Sequence, residues 1–147
     1  MSNTTWQLRL ATTQDVAQIT RCVTRAYEHY IERMGKPPGP MLADYAEIVA
    51  KHHVTVAQSC GVTGGVVVVM ERPEGPLLDN VAVDPDAQGT GLGKRLIDSA
   101  ESTALRLGAS FIDLYTHESM VENVGLYMHL GYQETGRIEE KGYARIY

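Results

Sequence analysis

The sequence is poor in cysteine and has no long apolar run, and these absences exclude several classes of protein. Its two cysteines, Cys22 and Cys60, are far apart and lack C-x-x-C spacing, so they indicate neither a disulfide framework nor a zinc site. No apolar stretch approaches the ~20 residues that a membrane-spanning helix requires. Residues 1–10 do not combine a charged segment with a following apolar one, so we expect no signal peptide and a cytoplasmic location.

The sequence also has no excess of basic residues over acidic ones. The 147 residues include 13 Lys and Arg against 18 Asp and Glu, and the net charge of −5 argues against broad nucleic-acid binding. An acidic face would suit a cationic amine, although the same charge is ordinary for a soluble protein. With 44% hydrophobic residues and no repeat, linker or low-complexity tract, the chain suits one globular domain, residues 1–147.

The periodicity of apolar residues predicts alternating strands and helices along the chain. Thr12 and Asp15 resemble a capping box with aspartate in place of glutamate, and the proline-rich segment 35–40 ends the first helix. Gly61, Gly64 and Gly65 predict the turn between the second and third strands, and the unbroken run 66–70 predicts a strand that is covered on both faces. Strands are predicted at 6–10, 54–58, 66–71, 77–83, 111–116, 132–137 and 143–147, and helices at 16–30, 41–49, 92–107 and 121–130.

The most informative segment is a glycine-rich turn between a strand and a helix. The apolar run 77–83 stops at Asp84-Pro85, and Gln88-Gly-Thr-Gly-Leu-Gly93 follows before the helical pattern begins. Such a turn can hold an anion, because the first N–H groups of a helix lack partners and glycine lets the backbone approach a phosphate. The spacing fits neither a P-loop, since Gly93-Lys94 is followed by Arg95, nor G-x-G-x-x-G, since the third glycine comes one residue early.

The pattern that remains, Q-x-x-G-x-G at Gln88, Gly91 and Gly93, resembles the pyrophosphate loop of the GNAT superfamily of acetyl-CoA-dependent N-acetyltransferases. Residues 123–132 are similar to a late segment of that family, in which a helix carries Leu126-Tyr127 and ends at Gly131-Tyr132. A plain strand-to-helix turn and a core tyrosine are the alternatives. The resemblance implies an α/β fold with an α+β mixed sheet, in the order β-α-α-β-β-β-α-β-α-β-β. It also implies that the fourth strand is bulged and splayed from the fifth.

The resemblance places the coenzyme along the fourth strand and the glycine turn. A backbone N–H near the end of that strand would stabilise the negative charge that grows on the thioester oxygen. Lys94 and Arg95 either assist with the phosphates or form a solvated pair at the start of the helix. The coenzyme residues implied are Val81, Ala82, Val83, Gln88, Gly89, Thr90, Gly91, Leu92, Gly93, Lys94, Asn123 and Tyr127.

Tyr127 stands where the family keeps its general acid, beside the coenzyme sulfur. Tyrosine titrates near ~10 and a thiol near ~8.5, so complete proton transfer is uphill by roughly 2 kcal/mol. We therefore expect Tyr127 to donate a hydrogen bond to the departing sulfur. Many relatives have an asparagine seven residues earlier, where this chain has Met120; either Asn123 is the substitute or the contact with the pantetheine is lost.

The acceptor amine must lose a proton, because an amine like that of lysine is neutral in only about one molecule in 2500 at pH 7. A base or a water relay is therefore expected. Asp79 is the first candidate, since it shares strand parity with Val81 and Val83, and a solvated strand aspartate is the alternative. Weaker candidates are Asn80, Asp113, Tyr115 and His117. The residues expected to shape the acceptor site are Tyr27, Tyr30, Met41, Asp79 and Tyr115.

Three hypotheses for function remain. The first is an N-acetyltransferase that uses acetyl-CoA as cosubstrate, the second a non-catalytic acyl-CoA sensor on the same fold, and the third a phosphate-binding or docking module. The Q-x-x-G-x-G spacing disfavours the third, and Tyr127 favours the first. The partners expected are acetyl-CoA and an amine acceptor, with a homodimer as the candidate assembly and with neither nucleic acid nor membrane.

Overall fold

The computed structural model describes residues 5–117, 120–140 and 143–147. The chain divides into two compact units, Met1–Ile112 and Asp113–Tyr147. Across the described residues, no helix has both the length and the apolar character needed to span a lipid bilayer. A single domain over 1–147 stays a prediction.

The first unit is an antiparallel sheet with helices packed against it. The strands lie side by side in chain order: β1 Gln7–Leu10, β2 His53–Ser59, β3 Val62–Met70 and β4 Leu77–Val83. The helices are α1 Val16–Tyr27, α2 Tyr30–Met34, α3 Tyr45–Lys51 and α4 Leu92–Arg106. Within the described chain, the order of strands from the first strand to the glycine turn is as predicted, but three helices, not two, lie between β1 and β2.

The centre of the unit is β3, which contacts both α1 and α4. Residues 66–69 are all valines and all fully buried, which confirms that this strand is covered on both faces. The predicted turn at Gly64 and Gly65 was wrong, because both lie within β3 and the turn is formed by Cys60 and Gly61. A Cβ on Gly65 would come within 2.7 Å of the Leu96 side chain, so glycine is needed there for close packing of α4.

The predicted capping box of Thr12 and Asp15 is confirmed, and it caps the 3-10 turn Thr13–Asp15 that leads into α1. The Thr12 N–H donates to Asp15 Oδ2 at 2.8 Å, and the Gln14 N–H donates to Thr12 Oγ1 at 3.3 Å. Arg9 donates to both carboxylate oxygens of Asp15 at 2.8 Å, which ties β1 to the beginning of the helix. The guanidinium of Arg9 holds the pKa of Asp15 well below its usual 3.8, at about 2.

The predicted helix boundaries in the segment 27–51 need correction. Helix α1 ends at Tyr27, and a separate short helix, α2, ends at Met34 and is capped by Gly35, which takes the left-handed conformation with φ +77°. The helix predicted from residue 41 begins at Tyr45, because the Asp44 carboxylate caps it by accepting from the N–H groups of Ala46 and Glu47. Residues 39–42 instead form a 3-10 turn.

Strand β4 has the predicted bounds and carries a β-bulge. Val68 pairs with Asn80 and the next residue, Val69, pairs with Leu78, so Asp79 is the additional residue of β4. The bulge implied by the family resemblance is therefore present. The splay from the fifth strand stays a prediction.

The second unit contains one helix and short strands: β5 Asp113–Leu114, β6 Thr116–His117, α5 Val121–His129, β7 Arg137–Glu140 and β8 Tyr143–Ile146. Strands β6, β8 and β7 form an antiparallel sheet in that order, and β7 with β8 confirms the predicted closing hairpin. The strand predicted at 111–116 is wrong in extent, because it is replaced by β5 and β6. The strand predicted from Tyr132 begins only at Arg137, because the Tyr132 N–H is used to close the end of α5.

Candidate active site

The turn between β4 and α4 is open and depends on glycine. Gly89 and Gly91 both have φ +79°, a left-handed conformation that strains other residues. A Cβ built on either glycine would meet no atom of the described chain within 4 Å, and residues 88–91 are exposed. The space beside the backbone is therefore accessible to a ligand. Thr90 is turned back into the protein, since its hydroxyl donates to the Ala87 carbonyl at 2.6 Å.

The N-terminus of α4 faces this turn. Gly91 occupies the N-cap position and has no side chain with which to cap the helix. The first N–H groups, beginning at Leu92, therefore stay available together with the positive end of the helix dipole. Leu92 is 1% exposed and anchors the helix start in the core. Backbone N–H groups at an exposed helix start next to glycines can donate hydrogen bonds to a diphosphate. The turn is therefore suited to the coenzyme that the family resemblance implies.

The two basic residues that follow do not gather at the turn. Lys94 Nζ lies 3.1 Å from Asp98 Oδ2, one helical turn further on. Arg95 Nη1 donates to the Trp6 carbonyl at 3.1 Å and so ties α4 to the segment before β1. Both side chains are exposed. This arrangement matches the solvated-pair alternative, and the anion-binding character of the turn comes from its backbone.

The register of β4 determines which of its backbone groups face outward. The Asp84 N–H donates to the Gly64 carbonyl at 2.9 Å, so this is a hydrogen-bonded pair of the β3–β4 ladder. Hydrogen-bonded pairs alternate along an antiparallel ladder, so Ala82 also directs its N–H and carbonyl toward β3. Val81 and Val83 direct theirs away from β3. Of the three residues expected to line the pantetheine arm, these two can offer backbone hydrogen bonds to it.

Asp79, the candidate base, lies at the bulge. It is half-buried, as are Val81 and Val83, while Asn80 and Ala82 between them are buried, so the predicted strand parity is confirmed. Its carboxylate is near Tyr45: burial, and then the negative charge of Asp79, raise the pKa of the Tyr45 phenol. The structure thus brings Asp79 close to the first residue of α3.

Asn80, one of the weaker candidates for the base, is part of a buried hydrogen-bond network. Its Oδ1 lies 2.7 Å from the Tyr27 hydroxyl, and its Nδ2 donates to the Tyr45 hydroxyl at 3.1 Å. Tyr45 in turn donates to the Pro40 carbonyl at 2.7 Å. An amide cannot act as a base at neutral pH, and both ends of this one have partners. Asn80 therefore joins β4 to α1 and to the 3-10 turn.

The residues predicted to shape the acceptor site are only partly accessible. Tyr27 and Tyr30 are each 6% exposed, with ring centroids 6.2 Å apart, and the Arg33 guanidinium lies 5.0 Å from the Tyr30 ring centroid. Met41 is half-buried in the 3-10 turn. The Tyr27 hydroxyl lies close to both Asn80 and the Val81 carbonyl, so Tyr27 serves the packing of β4.

Tyr127, the candidate acid, belongs to the second unit. It is 6% exposed on α5, and its ring packs edge-on against that of Tyr132 with centroids 5.9 Å apart. Tyr127 lines a small pocket with a cavity volume of about 40 Å³, which is partly open to solvent. Other residues of the unit that line it include Leu114, Thr116, Val124, Tyr132 and Tyr147. Tyr115, another predicted acceptor residue, packs against Tyr147 with ring centroids 5.7 Å apart.

Met120 and Asn123 have distinct structural roles at the start of α5. Met120 is 4% exposed, and its carbonyl accepts from the N–H groups of Asn123 and Val124. Its sulfur accepts from the Asn123 amide and the Thr116 hydroxyl, both at 3.6 Å. Asn123 is half-buried. Of the remaining base candidates, Asp113 is exposed on β5 and His117 is half-buried on β6.

Sequence reasoning missed Asp84 as a functional candidate. Its carboxylate accepts from Arg25 Nε at 2.7 Å, although the two residues are 59 positions apart. The only signal in the sequence was the Asp84-Pro85-Asp86 pattern, which is typical of a capped turn. Cys22 lies nearby, and burial raises the pKa of its thiol to about 12, which makes it unsuitable as a nucleophile at neutral pH.

Comparison with known proteins identifies the family. Residues 50–134, more than half of the chain, match the family model described as an acetyltransferase (GNAT) domain. The chain therefore belongs to the GNAT acetyltransferase domain family. The matched region includes Asp79, the glycine turn and Tyr127.

Two curated relatives match part of this chain. The uncharacterized N-acetyltransferase YvbK of Bacillus subtilis is 33% identical over 70 residues, which cover 48% of this chain and 45% of that protein. The peptidyl-lysine N-acetyltransferase YjaB of Salmonella typhimurium is 34% identical over 65 residues, which cover 44% of this chain and 41% of that protein. These matches therefore span less than half the length of the curated relatives.

Solved structures share the fold over nearly the whole chain. A GNAT-family acetyltransferase from Desulfovibrio desulfuricans superposes with a TM-score of 0.77 at 19% identity, covering 97% of this chain and 96% of that one. The acetyltransferase YncA of Salmonella typhimurium, whose structure contains its cofactor acetyl-CoA, gives 0.72 at 20% identity and covers 97% and 90%. At these identities the likeness shows the fold, and it confirms the mixed α/β fold class.

Proposed function

We propose that this protein transfers an acetyl group from acetyl-CoA to a primary amine by direct attack within a ternary complex. The observation that carries the proposal is the open turn at Gly89 and Gly91, which leads into an α4 N-terminus without a side-chain cap. Backbone N–H groups in such a turn bind the diphosphate of a nucleotide-like cosubstrate. Membership of the GNAT family and the presence of acetyl-CoA in a solved neighbour support this assignment of the ligand.

The β4 edge supplies the second part of the coenzyme site. Val81 and Val83 present backbone N–H and carbonyl groups away from β3, and the amides of a pantetheine arm can pair with such an edge as a strand would. A backbone N–H in this position also stabilises the oxyanion that forms when the amine attacks the thioester carbon. Gln88, Thr90, Gly93 and Lys94 are proposed to surround the phosphates, with Lys94 contributing its backbone N–H because its side chain pairs with Asp98.

The chemical step forms a C–N bond and breaks the C–S bond of the thioester. The coenzyme leaves as a thiolate, and Tyr127 is proposed to donate a hydrogen bond to this sulfur, with Asn123 contacting the arm. The proton lost by the amine goes to a base, for which we propose Asp79. The bulge gives Asp79 a place outside the regular ladder and in line with Val81 and Val83, the direction of the coenzyme arm.

The acceptor is proposed to be a small amine, an amino acid or a peptide. One curated relative is named as a peptidyl-lysine N-acetyltransferase, so a protein lysine belongs among the amines to test. The segment 27–45 and Tyr115 are proposed to border the acceptor. We also propose that the protein is located in the cytoplasm and that it forms a homodimer.

Two measurements on the purified protein test this function. Acetyl-CoA should raise the melting temperature, and no stabilisation at millimolar acetyl-CoA would count against coenzyme binding. A thiol-release assay over amines, amino acids and lysine peptides should then show turnover for at least one class. Binding without release across that panel would favour the acyl-CoA sensor.

A further inference from the structure

Asp84, the residue that follows β4 and begins the connection to the glycine turn, is held by both its backbone and its side chain. The Asp84 N–H donates to the Gly64 carbonyl at 2.9 Å, its carbonyl accepts from the Ala87 N–H at 2.8 Å, and Oδ1 accepts from the Asp86 N–H at 2.9 Å. These bonds set the angle at which the chain leaves the sheet. Asp84 is 6% exposed, so its carboxylate also requires a cationic partner.

That partner comes from α1. Arg25 Nε lies 2.7 Å from Asp84 Oδ2 and its Nη2 lies 3.3 Å from Oδ1, so both carboxylate oxygens are engaged. The same Nη2 lies 3.2 Å from the exposed carboxylate of Asp86, and Arg21 is 4.0 Å from Asp84. Burial alone raises the pKa of Asp84, but the hydrogen bonds from Arg25 and the Asp86 amide outweigh it and hold the pKa below its usual range. The carboxylate is thus charged when the turn is formed.

A short 3-10 turn, residues 85–87, connects Asp84 to the glycines, so the direction of the backbone at Asp84 determines where the glycines lie. Ala87 is buried, and its carbonyl accepts from the Thr90 hydroxyl at 2.6 Å. Beyond Ala87, residues 88–91 are exposed, and side-chain positions at Gly89 and Gly91 would touch no described atom. The conformation of the glycines is therefore held from the two ends, by the Asp84 junction and by the buried start of α4.

We propose that Arg25 and Asp84 are a positioning pair that preorganises the turn at residues 88–91 for the coenzyme diphosphate. This inference rests on the proposed function. Neither residue touches the ligand; Arg25 acts through Asp84, and Asp84 through the peptide groups of the 3-10 turn. Without Arg25, the buried carboxylate keeps only the Asp86 amide and the more distant, exposed Arg21 as partners. The turn then loosens, and part of the free energy of coenzyme binding is used to order it.

The test compares Arg25→Gln with two other variants. Arg25→Lys restores a positive charge near Asp84 and is the conservative rescue. Arg9→Gln is the matched control, because it breaks an equivalent pair: Arg9 engages both oxygens of Asp15, which is also 6% exposed, at the opposite end of α1. Calorimetry should measure the Kd for acetyl-CoA and for S-acetylpantetheine, which lacks the diphosphate. Hydrogen exchange of the amides in 85–93 reports the turn directly.

We expect Arg25→Gln to raise the Kd for acetyl-CoA about tenfold, to leave that for S-acetylpantetheine within twofold, and to speed amide exchange in 85–93. Arg25→Lys should recover part of the affinity, and Arg9→Gln should leave it unchanged. The inference is overturned if Arg25→Gln binds acetyl-CoA as the wild type does, or if Arg9→Gln weakens binding equally. If the wild type itself binds no acetyl-CoA, the proposed function fails instead. If Arg25→Gln does not fold, Arg25→Lys takes its place in the test. Arg25→Lys should then bind acetyl-CoA more weakly than the wild type and show faster amide exchange in the turn. A Kd of Arg25→Lys equal to that of the wild type would overturn the inference.

Discussion

The hydroxyl of Tyr27 on α1 lies 2.7 Å from Asn80 Oδ1 and 2.8 Å from the carbonyl of Val81 on β4. It therefore interacts with a backbone group of the outward-facing edge, at a point where no β3 partner is available. Asn80 extends the contact to Tyr45, so one buried amide connects two helices to the strand next to its bulge. The β4 edge owes its shape to side chains of α1 and α3 as well as to its pairing with β3.

Replacing Tyr27 by phenylalanine should destabilise the protein by about 1–2 kcal/mol, because it removes the single hydroxyl proton that lies between the Asn80 oxygen and the Val81 carbonyl. Urea denaturation gives the free energy of unfolding. The control is Lys51→Gln, which breaks an exposed pair with Glu47 and should change stability by a few tenths of a kcal/mol. Equal stability of Tyr27→Phe and wild type would show that the hydroxyl does not hold the strand.

Alanine at Gly89 or Gly91 should weaken acetyl-CoA binding, because it strains the left-handed backbone by roughly 1–2 kcal/mol and adds a methyl group beside the phosphates. Gly61→Ala is the matched control, since Gly61 has the same φ of +79° in the β2–β3 turn and equally open surroundings. All three variants should lose similar stability. Only the first two should show a higher Kd, and an equal rise in Gly61→Ala would point to a general effect of strain.

The ion pair at the start of α1 should make stability depend on pH below about 4. The pKa of Asp15 is about 2 in the folded protein against an ordinary 3.8, so the unfolded chain binds the proton more tightly. Its contribution, about 2 kcal/mol, is complete above pH 4 and is lost as the pH falls through 2. Wild type and Asp15→Asn should therefore differ at pH 7 and converge near pH 2. A difference that is constant with pH would contradict this assignment.

Tyr127→Phe should lower kcat by about 10- to 100-fold once an acceptor is found, and should leave the Kd for acetyl-CoA within twofold. The reason is that the hydrogen bond to sulfur strengthens only as the thiolate leaves. Tyr132→Phe removes the hydroxyl of the ring that packs against Tyr127 and is the comparison variant. Full turnover by Tyr127→Phe would exclude the proposed acid role and leave Tyr127 as a packing residue of α5.

Local chemistry made parts of this structure predictable. The bounds of β4, the capping box at Thr12 and Asp15 and the helix that begins at Leu92 each depend on neighbouring residues, so the sequence pattern contains them. The turn misassigned to Gly64 and Gly65 shows a limit of such patterns. A glycine that is needed for the backbone conformation of a turn cannot be told, from the sequence, from a glycine that is needed for close packing of a helix on a strand.

Long-range contacts were outside the reach of these patterns. The 3.6-residue period placed Tyr27 on the inner face of α1, but it could not show that the hydroxyl reaches β4. The Arg25–Asp84 pair joins residues 59 positions apart, and although the residues around Asp84 indicate a capped turn, nothing in the sequence marks Arg25 as its partner. Which distant residues come into contact depends on how whole helices and strands pack together. The apolar period of a single element does not contain that information.

The most direct test of the account is a calorimetric titration of acetyl-CoA into the wild-type protein and Gly91→Ala. We predict one binding site on the wild type, a Kd in the micromolar range and clearly weaker binding to the variant. Saturation at about 100 times the Kd should stabilise the wild type by about 2.7 kcal/mol. Absence of binding to the wild type at millimolar acetyl-CoA, or equal affinity of the two proteins, would contradict the claim that this turn holds the coenzyme.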